Sequence, residues 1–312
     1  MALIRRLTEM WSYRRLLART RRSLPHWESH GEQGLGLFIL SSGRSGSTLL
    51  RRMLHSNPAV SIPPESEDLL IRSLDNWLTF RNNQTELLKG QRNLMQSLAC
   101  MAHWKMDVDR VMEAWKASME HGSGFPSTYA SIYRTYAERT KPKAAIHGDK
   151  TPLLVWYTDL LHDLYPNALI VHLVRNPLDA VSSLVSMDAT KHDLDMSIAR
   201  WSNAAKVPLK AHTRPYRDRF ITIKYEDLVM QPEQVLVPIC DLMGIPFDQA
   251  MVNDRSHDLG DTSLRHHGAV ARPVDSSSVG VWRERLTDQQ ASEVLRKCGA
   301  TAKALGYRLP SP

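Results

Sequence analysis

The sequence is poor in the residues that staple small secreted folds, for its 312 positions hold three cysteines, Cys100, Cys240 and Cys298. An odd number of widely separated thiols supplies neither a disulfide framework nor the paired spacing of a zinc site, so a reducing compartment and no bound metal are expected. No apolar run approaches the roughly 20 residues needed to cross a bilayer, and the first residues lack the apolar stretch of a secretory signal. These absences point to a cytoplasmic location. Internal repeats and low-complexity segments are also missing. What remains, 42% hydrophobic residues over this length, can bury one large core.

A surplus of positive charge is present but localised. The formal net charge is +7, yet residues 1–24 alone hold Arg5, Arg6, Arg14, Arg15, Arg19, Arg21 and Arg22 against Glu9. The rest of the chain is nearly neutral, and no nucleic-acid partner is expected. Leu3, Ile4, Leu7, Met10, Trp11 and Leu17 recur among these arginines at helical spacing. Residues 1–34 therefore read as a basic helical segment, either packed on its own domain or in peripheral contact with an anionic membrane through residues 1–24.

From residue 35 to 312 the pattern is that of a single α/β domain. The short apolar run Leu37-Phe38-Ile39-Leu40 reads as a buried strand, and Leu49, Leu50, Met53 and Leu54 follow at helical spacing. Runs at 168–174 and 220–223, each followed by a helical pattern, add parallel strands in βα units. Residues 66–140 carry no convincing strand, and Trp77, Phe80, Trp104, Trp115, Tyr129 and Tyr133 are scattered through helix-like sequence. They read as a helical insertion on the acceptor side, although aromatic residues at this spacing usually form core. Thr287 to Gln290 forms a capping box before a last helix.

Between the first strand and its helix stands Ser42-Gly43-Arg44-Ser45-Gly46-Ser47-Thr48. Small residues there let backbone N–H groups converge on an anion at a helix N-terminus. The loop is not a Walker A sequence, because Gly43 and Gly46 are too close and Ser47 stands where that motif needs lysine. A second anion site starts at Arg175, where Asn176 and Pro177 supply an N-cap and first helical position. Seven residues beyond Asn176, Ser183 returns beneath the cap while Ser182 points round the helix, so Arg175 and Ser183 can grip one phosphate. Asp179, in the first turn, reads as a structural carboxylate favoured by the helix dipole. The His266-His267 pair reads as surface loop rather than as metal ligands.

Five segments in order resemble the sulfotransferases that use 3′-phosphoadenosine-5′-phosphosulfate (PAPS), in the broad group containing tyrosylprotein and bacterial enzymes. They are Leu37 to Glu65, His147 to Pro152, Val174 to Ser183, Tyr225 to Leu228 and Ser278 to Trp282. The resemblance implies a P-loop-type parallel sheet flanked by helices, with the helical insertion after the second strand region. It also implies a donor whose 5′-phosphosulfate sits in the Ser42 to Thr48 loop and whose 3′-phosphate sits at Arg175 and Ser183. Glu65 matches the carboxylate base, Lys150 the lysine on the bridging oxygen, Arg44 a phosphosulfate contact, Ser278 a serine near the transition state, and Tyr225 a residue packing on adenine. His147, and less directly His55, rivals Glu65 as base because other branches use histidine. The chemistry is self-consistent, since in-line displacement needs a base on the attacking side and a cation on the leaving side. A sulfuryl group carries less charge than a γ-phosphate and needs no Mg²⁺. The acceptor, a small molecule, glycan, lipid or peptide offering a hydroxyl or amine, is not encoded in any motif. Two other readings stand beside this one: a Mg²⁺-dependent small-molecule kinase with an atypical P-loop, and a non-catalytic membrane or partner-binding protein.

Overall fold

The computed structural model describes residues 2–23, 34–187, 193–253 and 276–310, with side chains from Tyr13 onward. The His266-His267 pair lies outside the described residues. Helix α1 (Ala2–Ser23) precedes strand β1 (Leu37–Ser41), helix α2 (Ser47–Ser56) and the short strand β2 (Val60–Ser61). Helices α3 (Leu69–Phe80), α4 (Gln84–Ser97), α5 (Ala99–His103), α6 (Val108–Glu120) and α7 (Phe125–Thr140) follow without an intervening strand. The chain continues through β3 (Ile146–Asp149), α8 (Thr158–Leu164), β4 (Leu169–Val174), α9 (Pro177–Val185), α10 (Leu194–Ala211) and β5 (Phe220–Lys224). Then come α11 (Tyr225–Met230), α12 (Pro232–Met243), α13 (Ala250–Asn253) and α14 (Asp288–Ala304).

The strands form one five-stranded sheet in the order β2-β3-β1-β4-β5, every neighbouring pair parallel. β1 is central: β2 and β3 lie to one side of it and β4 and β5 to the other. Strand order reverses there, which opens a crevice at the carboxyl ends of β1, β3 and β4. The buried, unalternating run at β1 follows from its position, since both faces are covered. Leu37 and Ile39, with Val171 and Leu173, pack on Leu50, Met53 and Leu54 of α2 and on Leu236 and Ile239 of α12. Phe38, Leu40 and Ile170 face the layer that holds α3 to α8.

Helices α3 to α7 are knit together by aromatic side chains. Trp77 meets Trp115 with ring centroids 6.1 Å apart, and Trp104 meets Tyr133 at 5.2 Å. Five of the six insertion aromatics are buried in this core, and Phe80 is exposed. From Tyr13 onward α1 docks on the same layer: Leu16 is buried, Arg19 pairs with Asp75 at 2.8 Å, and Arg21 with Asp163 at 2.7 Å. Both sequence-predicted helix starts are formed. Asn176 Oδ1 accepts from Leu178 N at 3.0 Å with Pro177 at the first helical position, and Thr287 and Gln290 exchange both capping-box bonds. Among the described residues no helix is long and apolar enough to cross a membrane.

Candidate active site

The loop leaving β1 is a run of left-handed backbone, with φ of 81° at Gly43, 53° at Arg44 and 90° at Gly46. Successive N–H groups in such a nest turn inward toward an anion. Gly46 is the N-cap of α2 and has no side chain to take the first-turn amides, which stay available to a ligand. Space constrains the two glycines unequally. A Cβ on Gly43 would lie 2.5 Å from Arg200 Nη2, the tip of a flexible side chain, whereas one on Gly46 would lie 2.3 Å from the Tyr225 ring. Ser42 and Ser45 brace the turn through their hydroxyls, 3.1 Å apart.

Three guanidinium groups surround this loop. Arg175, at the end of β4, donates to the Arg44 carbonyl at 3.0 Å and to the Ser278 carbonyl, and its plane lies 4.7 Å from the Tyr225 ring centre. Its Nε is buried without a partner among the described residues. Arg44 Nε donates to Ser183 Oγ at 3.2 Å, so the structure joins the loop to Ser183 and leaves Ser182 bonded to the Asp179 carbonyl within its own helix. Arg200, on α10, donates to the Ser42 carbonyl at 2.6 Å. The pKa of Arg44 is lowered by burial, then by the neighbouring Arg175 charge; that of Arg200 is lowered chiefly by burial. Crowded, desolvated cations of this kind are relieved by an anion.

Across the loop stands an ion pair. The Lys150 side chain is fully buried, and its Nζ lies 2.7 Å from Glu65 Oε1 and 3.4 Å from Thr48 Oγ1. Glu65 is 43% exposed, so the pair has one dry member and one that faces the open crevice. Behind it Asp149 is 1% exposed and accepts from Ser66 Oγ at 2.7 Å and from the Tyr133 hydroxyl. Burial raises the Asp149 pKa. Ser66 also takes Thr151 Oγ1 on its backbone N–H at 3.0 Å, tying the turn after Glu65 to the segment after Lys150.

The histidines are placed elsewhere. Along a strand, side chains alternate between faces, so His147 shares a face with Asp149, whose carboxylate is turned to Ser66 and Tyr133. Burial, then the Arg134 charge, lowers the His147 pKa. His55 is buried and accepts from Ile62 N at 3.0 Å on Nδ1, which occupies it in holding the chain after α2.

The sequence profile of the sulfotransferase family matches residues 36–249. The chain belongs to the sulfotransferase family. It is 26% identical to the sulfotransferase domain of the Synechococcus PCC 7002 olefin synthase, with a TM-score of 0.64 covering 91% of this chain and 98% of that one. The sulfotransferase domain from the curacin biosynthetic pathway shares the fold, with a TM-score of 0.59 at 23% identity over 89% of this chain and all of that one. Among curated proteins, protein-tyrosine sulfotransferase 2 of Gallus gallus is 25% identical over 276 residues, 87% of this chain and 63% of that protein. Nodulation protein NoeE of Sinorhizobium fredii is 25% identical over 299 residues, 86% of this chain and 65% of that protein. The chain thus spans just under two thirds of the length of these two relatives.

Within this chain the structure adds residues that motif reading passes over. Arg200 reaches the loop from 158 positions away, and no local pattern distinguishes it from any other helical arginine. Glu226, inside the Tyr225 to Leu228 segment, accepts from Asn176 N at 2.9 Å and from the Tyr307 hydroxyl at 3.0 Å. It anchors the chain next to Arg175, and burial raises its pKa. Tyr225 fills the space between Gly46 and Arg175.

Proposed function

We propose that the chain transfers a sulfuryl group from PAPS to a hydroxyl or amine of an acceptor, residues 35–312 acting as one sulfotransferase domain. One observation carries the reading: a single buried ammonium, Lys150 Nζ, touches both Thr48 of the anion loop and Glu65 at the crevice mouth. The donor's two anionic ends fit the residues present. The Ser42 to Thr48 nest, with Arg44, suits the phosphosulfate, and Arg175, whose buried Nε has no partner among the described residues, suits the 3′-phosphate together with Ser183. Ser278 borders the same arginine through its carbonyl, and Tyr225 is the residue assigned to pack on the adenine.

PAPS supplies a sulfuryl group whose bond to the leaving phosphate oxygen breaks as the acceptor's oxygen or nitrogen bonds to sulfur. Glu65 takes the acceptor's proton. Neutralising that carboxylate weakens its ion pair with Lys150 and leaves the ammonium to offset charge on the leaving side. The direct contact of Glu65 with Lys150 favours Glu65 over His147 as base. The acceptor is proposed only by class, as a small molecule, glycan, lipid or peptide taken up on the side of residues 66–140.

Titration calorimetry with 3′-phosphoadenosine-5′-phosphate (PAP) in EDTA, followed by an acceptor screen with radiolabelled PAPS, tests the reading. Metal-independent PAP binding, lost in Arg175→Ala, supports it. A folded wild type that ignores PAP but binds ATP only with Mg²⁺ would replace it with the kinase reading.

A further inference from the structure

Arg175, Asp179 and Ser183 lie at the end of β4 and on the first turns of α9, and they do more than present a phosphate grip. Asp179 is 1% exposed, and both of its oxygens are committed to backbone amides on a distant loop. Oδ2 accepts from Gly280 N at 2.8 Å and Oδ1 from Trp282 N at 3.0 Å. Arg175 meanwhile donates to the Ser278 carbonyl of the same loop. The loop is therefore held at two points by side chains of opposite sign four positions apart, each matched to the backbone group it meets: guanidinium on a carbonyl, carboxylate on two N–H groups. Gly280 has φ of 82°, and Val281–Glu284 forms one short 3₁₀ helix behind it, so the carboxylate fixes the point where the loop turns. A dipole role alone would ask only for a carboxylate near the start of α9, and would leave its oxygens facing solvent or the amides of its own first turn.

We propose that Asp179 is a positioning residue for the donor: it latches residues 278–282 against α9, so that Arg175 and the loop close together on the 3′-phosphate. The proposal rests on the assignment of Arg175 and Ser183 to that phosphate. It makes the 3′-phosphate site a composite of α9 and the loop before α14, and it makes donor affinity depend on a residue that need not touch the donor. Losing the latch leaves two amides without acceptors and Arg175 with a displaced carbonyl partner.

The test compares wild type, Asp179→Asn and Asp179→Ala for binding of PAP and of adenosine 5′-phosphate, which lacks the 3′-phosphate. Amide exchange at Gly280 and Trp282 is measured alongside. Asn keeps the shape of the side chain and one acceptor oxygen, so it serves if Ala compromises folding. The expected result is about 10- to 100-fold weaker PAP binding, the order set by stranding buried amides, with adenosine 5′-phosphate affinity unchanged. Exchange at the two amides should be faster, and exchange in α14 the same. Steady-state turnover should show a raised KM for PAPS with a smaller change in kcat. PAP affinity within twofold of wild type in either folded variant overturns the latch alone. Failure of wild type to bind PAP overturns both the latch and the donor assignment beneath it.

Discussion

Gly46 combines two constraints that substitution can separate. Its φ of 90° costs an L-residue about 1–2 kcal/mol. A Cβ would also lie 2.3 and 2.7 Å from two ring carbons of Tyr225, and such an overlap adds about 1–3 kcal/mol. Tyr225 has little room to retreat, because its ring meets the Arg175 guanidinium at 4.7 Å. Gly46→Ala should therefore lose about 2–5 kcal/mol in all, which a domain stable by about 5–15 kcal/mol can survive. Gly244, the left-handed cap of α12, is the natural control: its φ is 70°, and a Cβ there meets nothing within 4 Å. Gly244→Ala should lose the conformational cost alone. Urea unfolding of both variants measures the difference, expected to be about 1–3 kcal/mol. Adding Tyr225→Ala to Gly46→Ala should recover most of it as a coupling energy. PAP binding should fall in Gly46→Ala and hold in Gly244→Ala. Equal destabilisation by the two alanines, or no coupling to Tyr225, would refute the claim that the nest is built around that ring.

The remaining expectations concern charge. Glu65→Gln should reduce turnover about 100- to 10,000-fold, the range for a lost general base, with PAP affinity unchanged by calorimetry; full activity would remove Glu65 as base. The Lys150–Glu65 pair should respond asymmetrically in urea unfolding. Glu65→Leu removes the carboxylate partner of a fully buried ammonium and should cost about 3 kcal/mol, whereas Lys150→Met leaves a carboxylate that water can reach and should cost less than about 1 kcal/mol. Comparable losses would show that Lys150 is hydrated in solution. Arg175→Ala should abolish PAP binding in EDTA while retaining the wild-type unfolding profile to within about 2 kcal/mol. Acid sensitivity should come from His172, which is buried beside Phe220 and whose pKa burial lowers from 6.5 to about 3. Between those values the unfolded chain holds the extra proton, so stability is full above pH 6.5 and falls as the pH drops, by up to about 1.4 kcal/mol per unit. His147, lowered by burial, acts in the same sense, and Asp149, raised by burial, opposes both at lower pH. His172→Leu should flatten the acid limb of the stability–pH curve, and an unchanged limb would remove His172 as its source.

What could be read from sequence is what is decided locally. The buried run at β1, the glycines of the nest, the Asn176-Pro177 cap and the Thr287 box are each set by neighbours a few positions away, and the folded chain uses them where the pattern puts them. β3 is different. Ile146-His147-Gly148-Asp149 has neither alternation nor β-branched density, and it is a strand because Leu37 and Phe38 of β1 pair with Gly148 and Asp149. Once that strand is known, His147 is placed on the face of Asp149; without it the histidine stays a rival base. Asp179 illustrates the same limit. The dipole explains a carboxylate in a first turn, but its partners lie 101 and 103 positions away and leave no trace in the local pattern.

The arginines at the site are held differently from several on the outer surface. Arg19 pairs with Asp75, Arg21 with Asp163 and Arg296 with Glu293, and each of these three guanidinium groups is neutralised by the carboxylate that orients it. Around the nest neutral groups take part in the orienting: Arg175 donates to the carbonyls of Arg44 and Ser278, Arg200 to that of Ser42, and Arg44 Nε to the Ser183 hydroxyl. A carbonyl or hydroxyl sets direction without cancelling charge. These cations are therefore aimed and desolvated while their charge remains, an arrangement that works against folding through mutual repulsion and burial. It is recovered only when something anionic enters. Lys150 differs, being paired with Glu65, a carboxylate that the reaction itself would neutralise. Permanent charge is thus left for the part of a ligand that stays anionic, and paired charge stands where proton transfer would release it.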